Sequence, residues 1–293
     1  ERRVLLLVLL LALSIRALSP YRQNPHMDDT FFRIQAEGLI HHRLNVVCSL
    51  GELGDCQRFG SWDPIGYPLV LALMSIITGF TDLAAILLSV VAGVATVGCV
   101  YLIMRLLDRG HNEALVATLV LAFLPMHVRF ATVTMSEVLS VFIEALAVTG
   151  ALLHVRTRRS PGAWLAAVAF ALHVLLRLEN ILVLVPLGVV YVWGRWRYGV
   201  SPPLLPWLVA LALLAPHFID FNEFMYADRP LTRRLSPMAI PANFRYVTYW
   251  IDGYFQPFLF TTLVLLGVAA LIRGTGPLSA LAGLWFASRV GLH

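Results

Sequence analysis

The chain has 293 residues, of which 59% are hydrophobic and only 13% are charged, with a mean hydropathy of +0.77. A soluble domain carries about 25% charged residues, so this composition excludes an ordinary soluble enzyme and indicates an all-α polytopic membrane protein. The 22 basic residues are all Arg and give a net charge of +5, but they are spread over many loops and do not indicate nucleic-acid binding.

Apolar blocks of helical length recur along the chain. We predict about nine spans, at 4–18, 83–107, 114–125, 135–154, 163–176, 181–194, 204–218, 257–272 and 278–290. The first lacks a small-residue cleavage site and is interpreted as a retained helix. The block 65–78 is short and begins with Gly and Pro signals, which favours a re-entrant or interfacial segment. Because the last span ends the sequence, we expect further chain beyond it.

The distribution of Arg predicts the orientation. The short connections 105–113, 154–162 and 194–199 are rich in Arg and fall on the same side as Arg2 and Arg3. The positive-inside rule therefore puts the N-terminus in the cytoplasm. Two long segments, 19–82 and 219–256, then lie outside, and loops of this length are usually functional. We treat 1–293 as a single transmembrane domain.

The first outer segment holds an amphipathic stretch and two cysteines. Residues 30–44 place Phe32 and Ala36 on one face, which suits a helix lying on the membrane surface. Cys48 and Cys56 flank a short polar loop, so a disulfide is predicted if this side is oxidising. Cys99 lies in an apolar run and is interpreted as a packing residue.

Two adjacent carboxylates, Asp28 and Asp29, lie just past the first helix. A carboxylate at this depth could act as a general base on a hydroxyl acceptor. Two together could also hold a divalent cation. From the residues alone, the stronger alternative is that the acidic pair only N-caps the helix that follows.

Candidate phosphate ligands are Arg residues on the outer side, because the guanidinium fork matches phosphate oxygens. Three of them, Arg229, Arg233 and Arg234, cluster in the second long segment, where headgroup attraction or loop solvation is the alternative. Arg177 ends a predicted span, with His173 one turn earlier on the same face. For Arg177 the alternatives are pairing with the nearby Glu179 or a snorkelling side chain.

Two acids, Glu137 and Glu144, are seven residues apart on one predicted helix and therefore share a face. Acids inside a span are functional candidates by default. For Glu144 we favour a structural pair with His173 or Arg177 over catalysis. Glu137 lies nearer the outer end and is a candidate substrate-binding residue.

Five segments, in this order, are similar to those of the GT-C glycosyltransferases, and most closely to the branch of protein O-mannosyltransferases and lipid A aminoarabinose transferases. They are SPYRQNPHMDDTFFRIQAEGLI, WDPIGYPLVLALMSIITGFTD, VVAGVATVGCVYLIMRLLDRGHNEALVATLVLAFLPMHVRFA, TMSEVLSVFIEALAV and LLRLENILVLVPLGVV. The likeness covers roughly residues 1–195, and its weight comes from the order and spacing of short motifs. Asp29 stands where the family commonly has Glu, and Leu178 stands where it has Pro.

The resemblance implies a GT-C-like helix bundle with juxtamembrane helices in its first outer loop. It implies an inverting transferase that moves a sugar from a polyprenyl-phosphate donor to a glycan, lipid or protein acceptor at the outer face of the plasma (inner) membrane, in contact with membrane lipid. Asp28 would be the base, Asp29 would support it or bind a metal, and Tyr67 would contact substrate. No cofactor is assigned, and a divalent cation stays open.

Two rival interpretations remain at this stage. A transporter or flippase for a lipid-linked sugar accounts for the many spans and for a buried Glu144. It accounts less well for two long outer segments and for acids concentrated just past the first helix. The second rival is a non-catalytic membrane assembly subunit.

Overall fold

The computed structural model describes residues 1–19, 28–41, 47–48, 56–57, 65–79, 82–132 and 136–215. Within these ranges the chain is helical apart from one pair of two-residue strands. The elements are α1 (Arg2–Leu18), α2 (Asp28–His41), β1 (Val47–Cys48), β2 (Cys56–Gln57), α3 (Gly66–Thr78), α4 (Asp82–Leu106), α5 (His111–Phe123), α6 (Pro125–Phe130), α7 (Ser136–Thr157), α8 (Ser160–Leu176), a 3-10 helix (Leu178–Val183), α9 (Leu184–Tyr198) and α10 (Leu204–Ala215).

Seven helical segments follow the predicted apolar blocks closely. Helices α4 and α7 are long and apolar enough to cross a membrane, whereas α3, α5, α8 and α10 are shorter apolar helices. The all-α class is therefore confirmed for the described ranges, while the polytopic arrangement stays a prediction. The predicted spans 257–272 and 278–290 lie outside the described residues.

Helix α7 is the centre of the packed core and contacts α4, α8 and α9. Its approach to α8 requires small residues: a Cβ on Gly150 would lie 2.6 Å from the backbone nitrogen of Ala166, and one on Gly162 would lie 2.5 Å from that of His154. The backbones of α7 and α8 therefore touch, and the two helices form a closely packed pair. The candidate site described below lies on this pair.

At one end of the α7–α8 pair, here called the Arg156 end, the Arg156 side chain contacts several other parts of the bundle. The guanidinium of Arg156 donates from Nε to the Leu106 carbonyl at 2.8 Å and pairs with Asp108. Its Cζ also lies 5.5 Å from the ring centroid of Trp193 and 5.2 Å from that of Tyr198. Because these partners belong to α4, the turn after it and α9, Arg156 joins three parts of the bundle to α7.

The opposite end is here called the Glu137 end. Helix α2 begins at Asp28, two residues earlier than the amphipathic stretch predicted, and ends at His41. Its apolar face packs inward through Phe32 and Ala36, as the sequence pattern indicates. Most of this packing is against α3, so α2 is attached to the bundle through α3.

Candidate active site

A row of polar side chains on α7 faces a second row on α8. Glu137, Ser140 and Glu144 follow a spacing of three and four residues, and His173 and Arg177 are four residues apart. The first set therefore lies on one face of α7, while Arg177 directly follows the last residue of α8. The two sets contact each other from the Glu137 end inward, and these five residues are here called the polar ladder.

The outermost rung is the pair of Arg177 and Glu137. Nη2 of Arg177 donates to Oε1 of Glu137 at 2.7 Å. The side chains keep 34% and 27% of their surface exposed, so both can be reached from outside. The pairing uses one of the five N–H donors of the guanidinium. Among the described residues, the other carboxylate oxygen of Glu137 is buried and accepts no hydrogen bond. The sequence did not predict this pairing, and the side chain of Glu179 lies outside the described residues.

The inner rungs centre on His173, which is fully buried. Its Nδ1 lies 3.5 Å from the hydroxyl oxygen of Ser140, and its Nε2 lies 3.9 Å from Oε2 of Glu144. The predicted pairing of Glu144 with His173 is therefore confirmed. His173 and Glu144 are both buried, so they lie in the interior of the bundle beneath the partly exposed pair of Arg177 and Glu137.

Helices α2 and α3 are joined to this end of α8 by close contacts. A Cβ on Gly66 would lie 2.5 Å from the carbonyl oxygen of Leu175, so the start of α3 rests on the backbone of the last turn of α8. The next residue, Tyr67, is fully buried and meets Phe32 of α2 edge-on, with ring centroids 4.8 Å apart. The prediction that Tyr67 contacts substrate is not tested, but in this structure its ring packs between α2 and α3.

This packing sets the place of the acidic pair. Asp28 and Asp29 are the first residues of α2. Asp28 precedes Phe32 by one helical turn, or about 6 Å along the axis. The backbone of the pair is thus within one turn of the Phe32–Tyr67 contact, while their side chains are outside the described residues. Arg229, Arg233 and Arg234 also lie outside them, so their predicted role stays a prediction.

The two outer-segment cysteines lie opposite each other. Strands β1 and β2 pair antiparallel with Cys48 facing Cys56 in register. Directly opposite residues in an antiparallel pair have Cα atoms about 4.5–5.5 Å apart, which is within the range that a disulfide spans. The register agrees with the predicted bridge, which itself remains a prediction. Across the described ranges, no three His, Cys, Asp or Glu side chains converge as metal ligands.

Sequence reasoning missed the buried Arg16 of α1. Its guanidinium donates to the carbonyls of Ala12 and Ala122, and its Nη2 lies 2.7 Å from Nδ1 of His127. A Cβ on Gly93 would lie 2.9 Å from its Nε, so the glycine makes room for it. An Arg within an apolar helix was the only available signal. The contacts tie the end of α1 to α4, α5 and α6.

Apart from one short strand pair, the described residues form a helical fold with two helices of membrane-spanning length and a charged, partly exposed site at one end of a closely packed helix pair. The model of the dolichyl-phosphate-mannose-protein mannosyltransferase family matches residues 63–219, and the chain belongs to this family. The predicted GT-C resemblance is thereby confirmed. Searches of curated proteins and of solved structures give no match.

Membership implies a GT-C-type mannosyltransferase that uses a polyprenyl-phosphate-sugar donor and an acceptor, and it suggests a membrane protein. The matched region runs from just before α3 to just after α10, so it contains the polar ladder and Gly66. Asp28 and Asp29 precede it.

Proposed function

We propose that this chain transfers a sugar, with inversion, from a polyprenyl-phosphate donor to a hydroxyl group of a glycan, lipid or protein. The reaction takes place at the outer face of the plasma (inner) membrane. Family membership supports the reaction class. The identity of the donor, the inversion of the anomeric configuration and the side of the membrane go beyond the family match and belong to the proposal.

The observation that carries the proposal is the continuous packing between the start of α2 and the end of α8. Phe32 contacts Tyr67, and the neighbouring Gly66 rests on Leu175, two residues before Arg177. This packing supports an acid-bearing segment and a partly exposed Arg at the same end of the bundle. A transferase acting on a lipid phosphate needs this combination, a base for the acceptor and a cation for the leaving group.

In the proposed reaction, the acceptor oxygen attacks the anomeric carbon of the sugar as the bond from that carbon to the phosphate oxygen breaks. The hydroxyl proton passes to the carboxylate of Asp28, and the lipid phosphate leaves as an anion. Arg177 binds this phosphate through the donors that Glu137 does not occupy. Arg229, Arg233 and Arg234 contribute further charge. A single direct displacement inverts the anomeric centre.

The proposed membrane side follows from the two ends of the bundle. Arg156, Arg158 and Arg159 lie at one end of the α7–α8 pair, and Arg177 lies at the other. The positive-inside rule puts the former in the cytoplasm and the latter outside. Exposed large apolar side chains on α1, α5 and α10 suit contact with lipid. The donor then enters from the bilayer between the outer helix ends.

The test uses the purified full chain in liposomes with a polyprenyl-phosphate mannose donor and measures sugar transfer and binding of sugar-free polyprenyl phosphate. Asp28→Asn removes the base at constant size, so turnover should fall by about 10²–10⁴-fold while lipid phosphate still binds. Asp29→Asn should cost less, unless a divalent cation restores its activity. Arg177→Ala should weaken binding, whereas Arg197→Ala, an exposed Arg at the other end, should not.

Near-normal turnover of Asp28→Asn would make Asp28 a helix cap and move the base role to another acid, with Glu137 first. Lipid translocation without sugar transfer would favour the flippase instead. Ala substitution of both Arg233 and Arg234 should also weaken phosphate binding. Unchanged affinity would reassign that pair to solvation or headgroup contact.

A further inference from the structure

Asn180 is a buried amide directly below Arg177, with 2% of its surface exposed. It lies in the 3-10 helix that follows α8. Its side-chain nitrogen donates to the carbonyl oxygen of His173 at 2.9 Å and to the hydroxyl oxygen of Ser140 at 2.9 Å. Its backbone N–H donates to the Arg177 carbonyl at 3.0 Å. One residue thus ties the chain beyond α8 both to the last turn of α8 and to α7.

These contacts fix the amide orientation. A carbonyl oxygen only accepts hydrogen bonds, so the nitrogen of Asn180 must face His173. Its second hydrogen goes to Ser140, whose own hydroxyl hydrogen is then available for Nδ1 of His173, 3.5 Å away. The imidazole in turn presents Nε2 to Glu144. Both hydrogens of the amide are therefore used, and an ionised carboxylate at position 180 could supply neither, while a protonated one could supply only one.

The same contacts determine how the chain leaves α8. Arg177 is extended, with φ −159° and ψ 133°, and its N–H reaches the His173 carbonyl at 3.3 Å. That carbonyl also accepts the Asn180 amide, which satisfies one of the acceptors that a helix end leaves unpaired. The direction of the Arg177 side chain depends on this exit, because the backbone hydrogen bonds of Arg177 within the described ranges are the one to His173 and the one from Asn180.

We propose that Asn180 is a positioning residue for Arg177 and holds its guanidinium toward the phosphate of the lipid donor. This inference rests on the proposed function, in which Arg177 binds that phosphate. Glu137 holds the guanidinium from one side through Nη2. Asn180 holds the backbone from below, so the remaining N–H donors stay aimed at one place. Preorganised donors bind phosphate more tightly than mobile ones.

The experiment compares Asn180→Asp, which keeps the shape but loses one donor when protonated and both when ionised, with Arg177→Ala and with the double variant. The matched control is Asn112→Asp, an exposed amide at the start of α5. The measurements are the dissociation constant for sugar-free polyprenyl phosphate, and KM and kcat for the mannosylated donor. Asn180→Asp should raise the donor KM and the dissociation constant by about tenfold, with kcat and acceptor KM within about twofold. Asn112→Asp should match the parent.

Coupling distinguishes positioning from a general structural role. If Asn180 acts through Arg177, the double variant should bind no more weakly than Arg177→Ala alone. Additive losses, or equal falls in kcat and acceptor affinity, would overturn the inference. Normal binding by Asn180→Asp with lost binding by Arg177→Ala would overturn it and leave the proposed function intact. Normal binding by Arg177→Ala would instead contradict the proposed function.

A second variant covers the case in which Asn180→Asp does not fold. Ser140→Ala removes one of the two acceptors and keeps the bond to the His173 carbonyl. It should raise the dissociation constant for polyprenyl phosphate by less than Asn180→Asp, about threefold, and lose this effect in an Arg177→Ala background. A parent-like dissociation constant in Ser140→Ala would overturn the inference as well.

Discussion

The contact of Gly66 with α8 can be tested by substitution. Through this contact, α3 and the α2 helix packed on it are attached to the Glu137 end. In Gly66→Ala, the new Cβ would lie 2.5 Å from the Leu175 carbonyl oxygen and 2.8 Å from the Leu176 nitrogen. Nonbonded carbon contacts lie near 3.5 Å, so α3 must move from α8 by roughly 1 Å. The obstacle is backbone on both sides, and no side-chain rotation can relieve it.

The expected cost appears in activity more than in folding. Overpacking of this kind costs about 1–3 kcal/mol of stability. A misplacement of about 1 Å at a distance from the chemistry can lower the rate by 10²-fold. Since α2 and its acids move with α3, we expect kcat/KM for sugar transfer to fall by about 10–100-fold. Thermal unfolding in detergent and transfer in liposomes measure the two effects.

The control is Gly188→Ala on α9, where an added Cβ meets nothing within 4 Å. Its activity should equal that of the parent, and its helix should gain up to about 1 kcal/mol from the better helix former. Parent-like transfer by folded Gly66→Ala would refute the reasoning, because it would mean that the position of α2 on α8 does not matter to catalysis.

Three further predictions concern the rest of the chain. Mass mapping under non-reducing conditions should find Cys48 linked to Cys56, and two free thiols in correctly inserted protein would contradict this. In a cysteine-free background, Ser160→Cys should react with an impermeant thiol reagent only after permeabilisation, and labelling from outside would overturn the proposed orientation. Glu144→Gln or His173→Gln alone should destabilise by about 1–3 kcal/mol, because each leaves a buried polar partner unsatisfied, with partial recovery in the double variant; additive losses would show that the pair is not coupled.

Hydropathy predicted where the helices lie, because apolar length and turn residues act locally. The blocks predicted at 83–107 and 163–176 correspond to α4 and α8 with ends shifted by at most three residues. The seven-residue spacing of Glu137 and Glu144 also predicted correctly that both share one face. These features depend on the period of one helix and on nothing beyond it.

The side-chain contacts of the site could not be predicted from hydropathy and helical periodicity. They depend on the rotation at which each helix packs against its neighbours. Arg177 had an acid two residues away in sequence, yet its partner in the structure is Glu137, forty residues earlier. Asn180 carried no signal at all, since an Asn after a helix is typical of any turn. Likewise, Arg16 is buried only because α4 offers Gly93 at the crossing.

The contacts of Arg156 also matter for the opposite end of the bundle. They fasten α7 to α4 and α9 at the place where α7 and α8 already touch backbone to backbone. Under the proposed function, the lipid donor arrives at the opposite end of the α7–α8 pair, beside Arg177. The Arg156 contacts therefore hold α4, α7 and α9 together away from the place where the donor phosphate would bind.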